Sequence, residues 1–353
     1  MADQHQAPNL TTDGPVDTTM TYDGEFITLC IKTESNKFGA VVVPVFFYVV
    51  FTVSLLGNGL ILFLLLKFEN IKTVTNLFIF NLVVSDLLFT LSLPFWGYYQ
   101  NHSWIFGDGL CKVVSSIFHL GFYSSILFLT MMTVDRYMAV VHAIYAARTR
   151  KLLYVYLASA AIWAISLLST VPKFVLYRTR NDVFQGFLCQ ESGYQVETIR
   201  WWKMVGYYQQ VVMFFFIPLA VIFYCYTLIV AKLYHTKMQN KDKAVKLILL
   251  IVLAFFICWT PYNIILFIKA QSLSQESTDG DCNTTAIDNA YYICRNIAYF
   301  HCCVNPFFYT FVGTKFRRHL ASLFGNWMRC GLRYRQSSLS SKTSEYSPQT
   351  IYE

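Results

Sequence analysis

Charge is what this chain has least of. Only 14% of its 353 residues are Asp, Glu, Lys or Arg, against roughly 25% in soluble domains, which argues against a soluble protein of any function class. Catalytic signatures are missing as well. Neither H-E-x-x-H nor G-x-S-x-G occurs, so the residue sets of a zinc protease and of a serine hydrolase are absent. No internal repeat relates one half to the other, as the duplicated halves of many transporters would. The first 37 residues contain no apolar core preceded by a basic stretch, so no cleavable signal peptide is expected. Cys302 and Cys303 are adjacent and point to different helix faces, which disfavours a metal site. No cofactor is called for beyond an ion considered below.

What is abundant is apolar: 55% of residues are hydrophobic and 18% aromatic. Seven stretches are long enough to cross a bilayer: Phe38–Leu66, Val74–Tyr99, Val113–Val134, Leu152–Pro172, Met204–Ala231, Leu247–Ile268 and Asn289–Gly313. They do not alternate, which excludes a β-barrel. Pro44, Pro94, Pro172, Pro218, Pro261 and Pro306 would end helices in water, but in a bundle they leave kinks whose freed carbonyls neighbours can satisfy. The fold class is therefore an all-α membrane protein, a seven-helix bundle over 38–313. It follows an acidic arm at 1–37 and precedes a tail at 327–353 too polar to fold alone. Between bundle and tail, 314–326 places Phe316, Leu320, Leu323 and Phe324 on one face and Arg317, Arg318 and His319 on another. That pattern predicts a short amphipathic helix lying on the inner leaflet.

The formal net charge of +8 would by itself suggest nucleic acid or anionic lipid as a partner. Its placement decides otherwise. The segments Lys67–Thr73, Asp135–Lys151, Lys232–Lys246 and Thr314–Glu353 carry net +1, +3, +4 and +5, whereas residues 1–37 hold six acids against Lys32 and Lys37. Positive segments stay cytoplasmic, so the N-terminus lies outside and the C-terminus inside. No nucleic-acid partner is expected, and the basic side meets lipid. The sequons at Asn9, Asn101 and Asn283 all fall on the expected outside. Cys111 with Cys189, and Cys30 with Cys282, sit where an oxidising compartment would pair them.

Charges inside the spans are costly and usually functional. Asp86 is the only carboxylate deep in one. It reads either as a carboxylic acid kept neutral by burial or as a cation site completed by Ser125 and Asn305, with sodium the ion in question. Arg295 lies toward the outer half of the seventh span beside Tyr291, Tyr292 and Asn296. A guanidinium facing a cavity there would attract an acidic or carbonyl-rich ligand tip; facing lipid, it would snorkel to water.

These residues carry a resemblance over nearly the whole chain. Asp135-Arg136-Tyr137, Cys258-Trp259-Thr260-Pro261, Asn305-Pro306-Phe307-Phe308-Tyr309, Gly57-Asn58, Trp163, and Pro218 with Tyr226 resemble, in order and each on its proper helix, the rhodopsin-like G-protein-coupled receptors. Within them, the run Asp135–Ala143, Trp104-Ile105-Phe106-Gly107 before Cys111, Pro261-Tyr262-Asn263 and His301-Cys302-Cys303-Val304-Asn305-Pro306 are similar to chemokine receptors. Many of those have a glutamate where this chain has Arg295. Ile293-Cys294-Arg295-Asn296 and Phe311–Arg317 resemble XC-type (lymphotactin) receptors, which is the subtype expected here, with CC-type as the alternative.

The resemblance implies a plasma-membrane receptor whose ligand is a small basic chemokine. Tyr22, a candidate for sulfation, with Asp23 and Glu25, would capture it electrostatically. The ligand's end would enter among Trp96, Phe118, His119, Tyr123, Gln209, Tyr262, Tyr292 and Arg295. Trp259 above Pro261 would pivot the sixth span, and Arg136, held by Asp135 at rest, would be freed toward Tyr226 and Tyr309 and a G protein of the inhibitory class. Asn305, Pro306 and Tyr137 belong to the same switch. Cys330 is a palmitoylation candidate, and the Ser/Thr cluster from Ser337 to Ser344 would take phosphates from receptor kinases and so recruit arrestin.

Overall fold

The computed structural model describes residues 18–22, 25–29, 37–149, 151–182, 186–236, 242–274, 284–311 and 318–322. Helix α1 (Lys37–Phe68) and α2 (Val74–Tyr99) are followed by α3 (Gly107–Val141), a short α4 (Ala143–Thr149) and α5 (Leu152–Leu176). A hairpin of β3 (Tyr177–Asp182) and β4 (Gly186–Glu191) then leads to α6 (Val196–Val211). A π-helical turn, Val212–Phe216, joins α6 to α7 (Ile217–Thr236), and α8 (Asp242–Ser274), α9 (Thr284–Tyr299) and α10 (His301–Phe311) complete the bundle. Before α1, β1 (Thr18–Tyr22) pairs antiparallel with β2 (Glu25–Leu29), Tyr22 opposite Glu25.

Six of these segments are long and apolar enough to span a membrane, with α6, the π turn and α7 forming one of them. The seventh span is α9 with α10, two helices where the sequence pattern predicts one. Pro306 explains the need for a partner near the break: it has no N–H for the carbonyl of Cys302 four residues earlier. That carbonyl instead accepts from Asn58 Nδ2 at 3.0 Å and Ser54 Oγ at 3.2 Å, both on α1. At the junction, Phe300 N bonds to the Ile297 carbonyl and Cys303 N to the Phe300 carbonyl, each three residues back, so the chain tightens and turns there. The π turn similarly falls just before Pro218.

Helices run beyond the expected apolar limits: α3 extends past Val113–Val134 at both ends. An apolar run marks only the hydrocarbon layer, while a helix continues through the headgroup region where its polar residues are solvated. Local chemistry sets several ends. Thr73 caps α2, its Oγ1 accepting from Asn76 N at 3.3 Å. Gly107 opens α3 at φ +76°, a conformation glycine adopts without strain, and its carbonyl accepts from Trp104 Nε1 at 2.9 Å. In α2, Ser92 Oγ donates to the Phe89 carbonyl at 2.6 Å, as expected of a serine beside the Pro94 kink.

The core is a seam of buried Phe78, Leu82 and Phe89 on α2 against Phe122, Ile126 and Leu129 on α3. Large apolar side chains on the outer faces stay exposed, among them Leu56, Leu168, Phe223 and Ile257 at 68–73%. In water this would be a liability; in a bilayer it is the lipid-facing surface. The β3–β4 hairpin lies over α3 because a Cys111–Cys189 disulfide joins them. Residues 318–322 are helical, and His319 there stacks on Phe68 and bonds through Nε2 to Glu69 Oε1 at 2.9 Å. The rest of the expected 314–326 helix lies outside the described residues, as do Asn9, Asp23, Cys30, Cys282, Asn283 and Cys330.

Candidate ligand-binding and switch sites

At the end of the bundle that carries the disulfide, α9 presents Tyr291, Tyr292, Arg295 and Tyr299 along one side. Helical spacing of three and four residues stacks them there. The Arg295 guanidinium lies 4.7 Å from the ring centre of Tyr292, 5.7 Å from Tyr291 and 5.9 Å from Tyr299, within range for cation–π attraction. Its Nε and Nη2 are buried and have no hydrogen-bond partner among the described residues. From α8, Tyr262 reaches the Tyr291 hydroxyl at 3.3 Å, and the Lys269 ammonium sits 4.7 Å from the Tyr291 ring centre. Phe118 on α3 joins from below, 5.2 Å from Tyr299.

The other expected contacts are distributed differently. His119 Nδ1 meets the Ser115 carbonyl at 2.7 Å, and its ring faces Tyr123 and Tyr177. Tyr123 is 1% exposed and stacked on Phe214 at 3.9 Å, so it packs α3 against the π turn. Gln209 bonds the Ser169 carbonyl at 3.4 Å, bracing α6 against α5. Trp96 packs on Tyr99 and Trp104 in a separate outer layer that includes Cys111, Val114 and Cys189. Asn101 is exposed in the loop between α2 and α3 at this same end.

Sequence reasoning missed a buried ion pair beside this site. Lys173 Nζ lies 2.6 Å from Glu191 Oε1, the two side chains 11% and 7% exposed, tying the last turn of α5 to β4. The apolar run ends at Pro172, so Lys173 read as loop; only an allowance for one more helical turn after a proline would have found it. Burial first, then the neighbouring Glu191 carboxylate, pushes the Tyr177 hydroxyl well above its ordinary value.

Beneath this layer the aromatic contacts continue to Trp259. Tyr262 lies 5.7 Å from it, and Trp259 stacks on Phe122 at 3.9 Å with Phe255 and His301 around it. Pro261 falls within α8 immediately past Trp259, where its missing N–H weakens the helix. Deeper still, fully buried Asp86 accepts from Ser125 Oγ and Asn305 Nδ2, both at 2.7 Å. Three oxygen-bearing side chains thus converge from α2, α3 and α10. The Asp86 carboxylate and the Ser125 hydroxyl carry oxygens of the kind a hard cation takes, whereas Asn305 turns its amide nitrogen to the carboxylate.

At the opposite end, Arg136 Nη2 lies 3.3 Å from Asp135 Oδ2 and also donates to Thr75 Oγ1, a tether to α2 that the tripeptide alone does not reveal. Tyr137 pairs with His142 Nε2 at 3.0 Å and packs near Tyr224. Tyr226 and Tyr309 are both buried. Asn305, Pro306 and Tyr309 all lie on α10.

Comparison with known proteins agrees with this geometry. The 7 transmembrane receptor (rhodopsin family) model matches residues 57–309. C-C chemokine receptor type 4 of Homo sapiens is 37% identical over 299 residues, 84% of this chain and 81% of that receptor. C-C chemokine receptor type 1 of Homo sapiens is 37% identical over 322 residues, covering 90% and 89%. C-C chemokine receptor type 3 of Cavia porcellus is 37% identical over 301 residues, covering 85% and 83%. These three carry CC-type names, which gives the XC-type expectation no support and supports the CC-type alternative. The chain belongs to the rhodopsin-like seven-transmembrane receptors and, within them, to the chemokine receptor family, whose members are receptors rather than enzymes.

Proposed function

We propose that this chain binds a small basic chemokine on its outer face and activates a heterotrimeric G protein of the inhibitory class. The observation that carries the reading is the unbroken run of aromatic contacts from Arg295 and Tyr291 through Tyr262 to Trp259, directly above the Pro261 weak point. A ligand that binds better when α8 swings out shifts the population toward the open bundle. The Asp135–Arg136 pair and the Thr75 tether would then release Arg136 toward Tyr226 and Tyr309. The single described disulfide supports the orientation, since Cys111 and Cys189 belong in an oxidising compartment. With the N-terminus outside, Tyr22, Asp23 and Glu25 capture the ligand, and Trp96, Phe118, His119 and Arg295 meet its entering end.

Asp86 and Ser125, with Asn305 beside them, form the candidate site for sodium. Inside, lipid binds the basic segments, and receptor kinases and arrestin act on the Ser/Thr tail. CC-type ligands are supported by the 37% identities; Arg295, opposite in charge to what many chemokine receptors carry, favours an XC-type ligand as the second reading. A chemokine panel assayed for nucleotide exchange in receptor-containing membranes tests the function. We expect one or a few chemokines to stimulate exchange, and Arg136→Ala to abolish it while ligand still binds. Silence from every chemokine at normal surface display overturns the proposal.

A further inference from the structure

Arg295 forms no ion pair with the described residues. Its Nε and Nη2, the two nitrogens that form one edge of the guanidinium, are both buried and both without a partner among the described residues. That edge presents two parallel N–H groups, the fork that matches a carboxylate. Leaving two such donors buried and unmade is costly, and tyrosine rings relieve only part of that cost, since they offer a π face and no acceptor in the plane of the fork. Lys269 adds a second positive charge over the far side of Tyr291, and the Tyr262–Tyr291 hydroxyl pair adds neutral donors. The Glu191 carboxylate beside this corner is taken up by Lys173, so among the described residues no acceptor meets the Arg295 edge. The unmade edge gives an anion two donors to meet.

We propose that the Arg295 edge is a carboxylate subsite, filled by an acidic side chain in the entering segment of the protein ligand. The inference rests on the chemokine-receptor reading and deepens it. The ligand is then basic over its body, which suits the acidic arm with Asp3, Asp13, Asp17, Asp23, Glu25 and Glu34, and acidic at its tip. Recognition is bipolar: the arm selects a positive body, and Arg295 selects a negative tip that only a correctly inserted ligand delivers. The two-toothed geometry belongs to Arg295 alone.

The experiment uses the full-length receptor in membranes and the chemokines that stimulate nucleotide exchange in the panel. In each, every Asp and Glu before the first cysteine is changed in turn to its amide and to Lys. One amide variant is expected to lose about tenfold or more in potency on the wild-type receptor, the size of a lost charge-assisted hydrogen bond. The same variant should lose nothing further on Arg295→Gln, and the Lys variant should regain potency on Arg295→Glu. That rescue also shows that the altered receptor folds. Arg295→Lys should recover only part of the response, because it keeps the charge and lacks the fork. If every acid-to-amide ligand is as potent as its parent, or the losses on Arg295→Gln simply add, the subsite assignment fails while the receptor reading stands. If Arg295 instead couples to the arm's own acids, tested by changing those six to amides, the anion is the receptor's and the proposal is overturned. A panel with no responder at all defeats both readings together.

Discussion

At Gly121 the backbones of α2 and α3 approach too closely for a side chain, and replacing it with alanine should loosen the centre of the bundle. A Cβ built there falls 2.6 Å from Phe89 N, 2.7 Å from the Ser85 carbonyl oxygen and 2.9 Å from Phe89 Cα. All three are backbone atoms, so no rotamer change can make room. Restoring an ordinary contact near 3.4 Å needs the two helices to part by about 0.8 Å. Ser125 lies one turn further along α3, and its 2.7 Å hydrogen bond to Asp86 spans this same interface. Lengthened by that amount it would reach about 3.5 Å, the outer limit of a hydrogen bond. The strain of overpacking is about 1–3 kcal/mol, and loss of a bond to a buried carboxylate adds about 1.5–3 kcal/mol. Purified receptor carrying Gly121→Ala should therefore unfold at a clearly lower temperature, at roughly 2–4 °C per kcal/mol for larger chains. Ser125→Ala in the Gly121→Ala background should cost less than Ser125→Ala alone, because the bond it removes is already weakened. A midpoint within about 1 °C of wild type, or fully additive losses, would refute the reasoning.

Two further predictions follow from buried charge. Lys173→Met leaves Glu191 uncompensated and should destabilise the receptor by about 3–5 kcal/mol, read as lost thermal stability and lost surface display. Lys173→Met with Glu191→Leu should recover most of it; a double variant as unstable as the single one would mean that Lys173 acts through packing alone. Asp86→Asn removes the carboxylate that faces Ser125 and Asn305. Agonist affinity measured in sodium chloride and in an equimolar bulky-cation chloride should differ for wild type and not for Asp86→Asn, and an unchanged sodium dependence in the variant would dispose of the ion site.

How much of this was legible in the sequence depends on the range of the physics involved. Hydrophobic length and loop charge act locally, so the spans could be read directly, and α2 even matches its expected limits, Val74–Tyr99. The motif residues were equally readable because each sits on one helix. What escaped was set between helices. Nothing in the seventh apolar run announces a break at Phe300. The turn becomes intelligible only with Pro306 denying an N–H to the Cys302 carbonyl and Asn58 and Ser54 of α1 supplying the donors instead. The Thr75 hold on Arg136 and the Lys173–Glu191 pair are likewise matches between distant segments.

Arg295 shows the two kinds of information meeting. Its neighbours Tyr291, Tyr292 and Tyr299 follow from helical spacing, so an aromatic surround was foreseeable. That no described residue bonds the buried edge of the guanidinium, and that Tyr262 and Lys269 complete the surround from α8, required the fold. A snorkelling arginine would turn its whole fork toward water, whereas here one edge is buried and unbonded. A buried edge is what a residue facing inward would show. On the proposed reading its charge divides the labour, with attraction for a basic body in the arm and for an acidic tip in the bundle. An arm that grips any basic protein is a poor discriminator, and a buried fork that rejects every tip without a carboxylate is a sharp one. On the proposed reading, affinity and selectivity are carried by opposite charges at opposite depths.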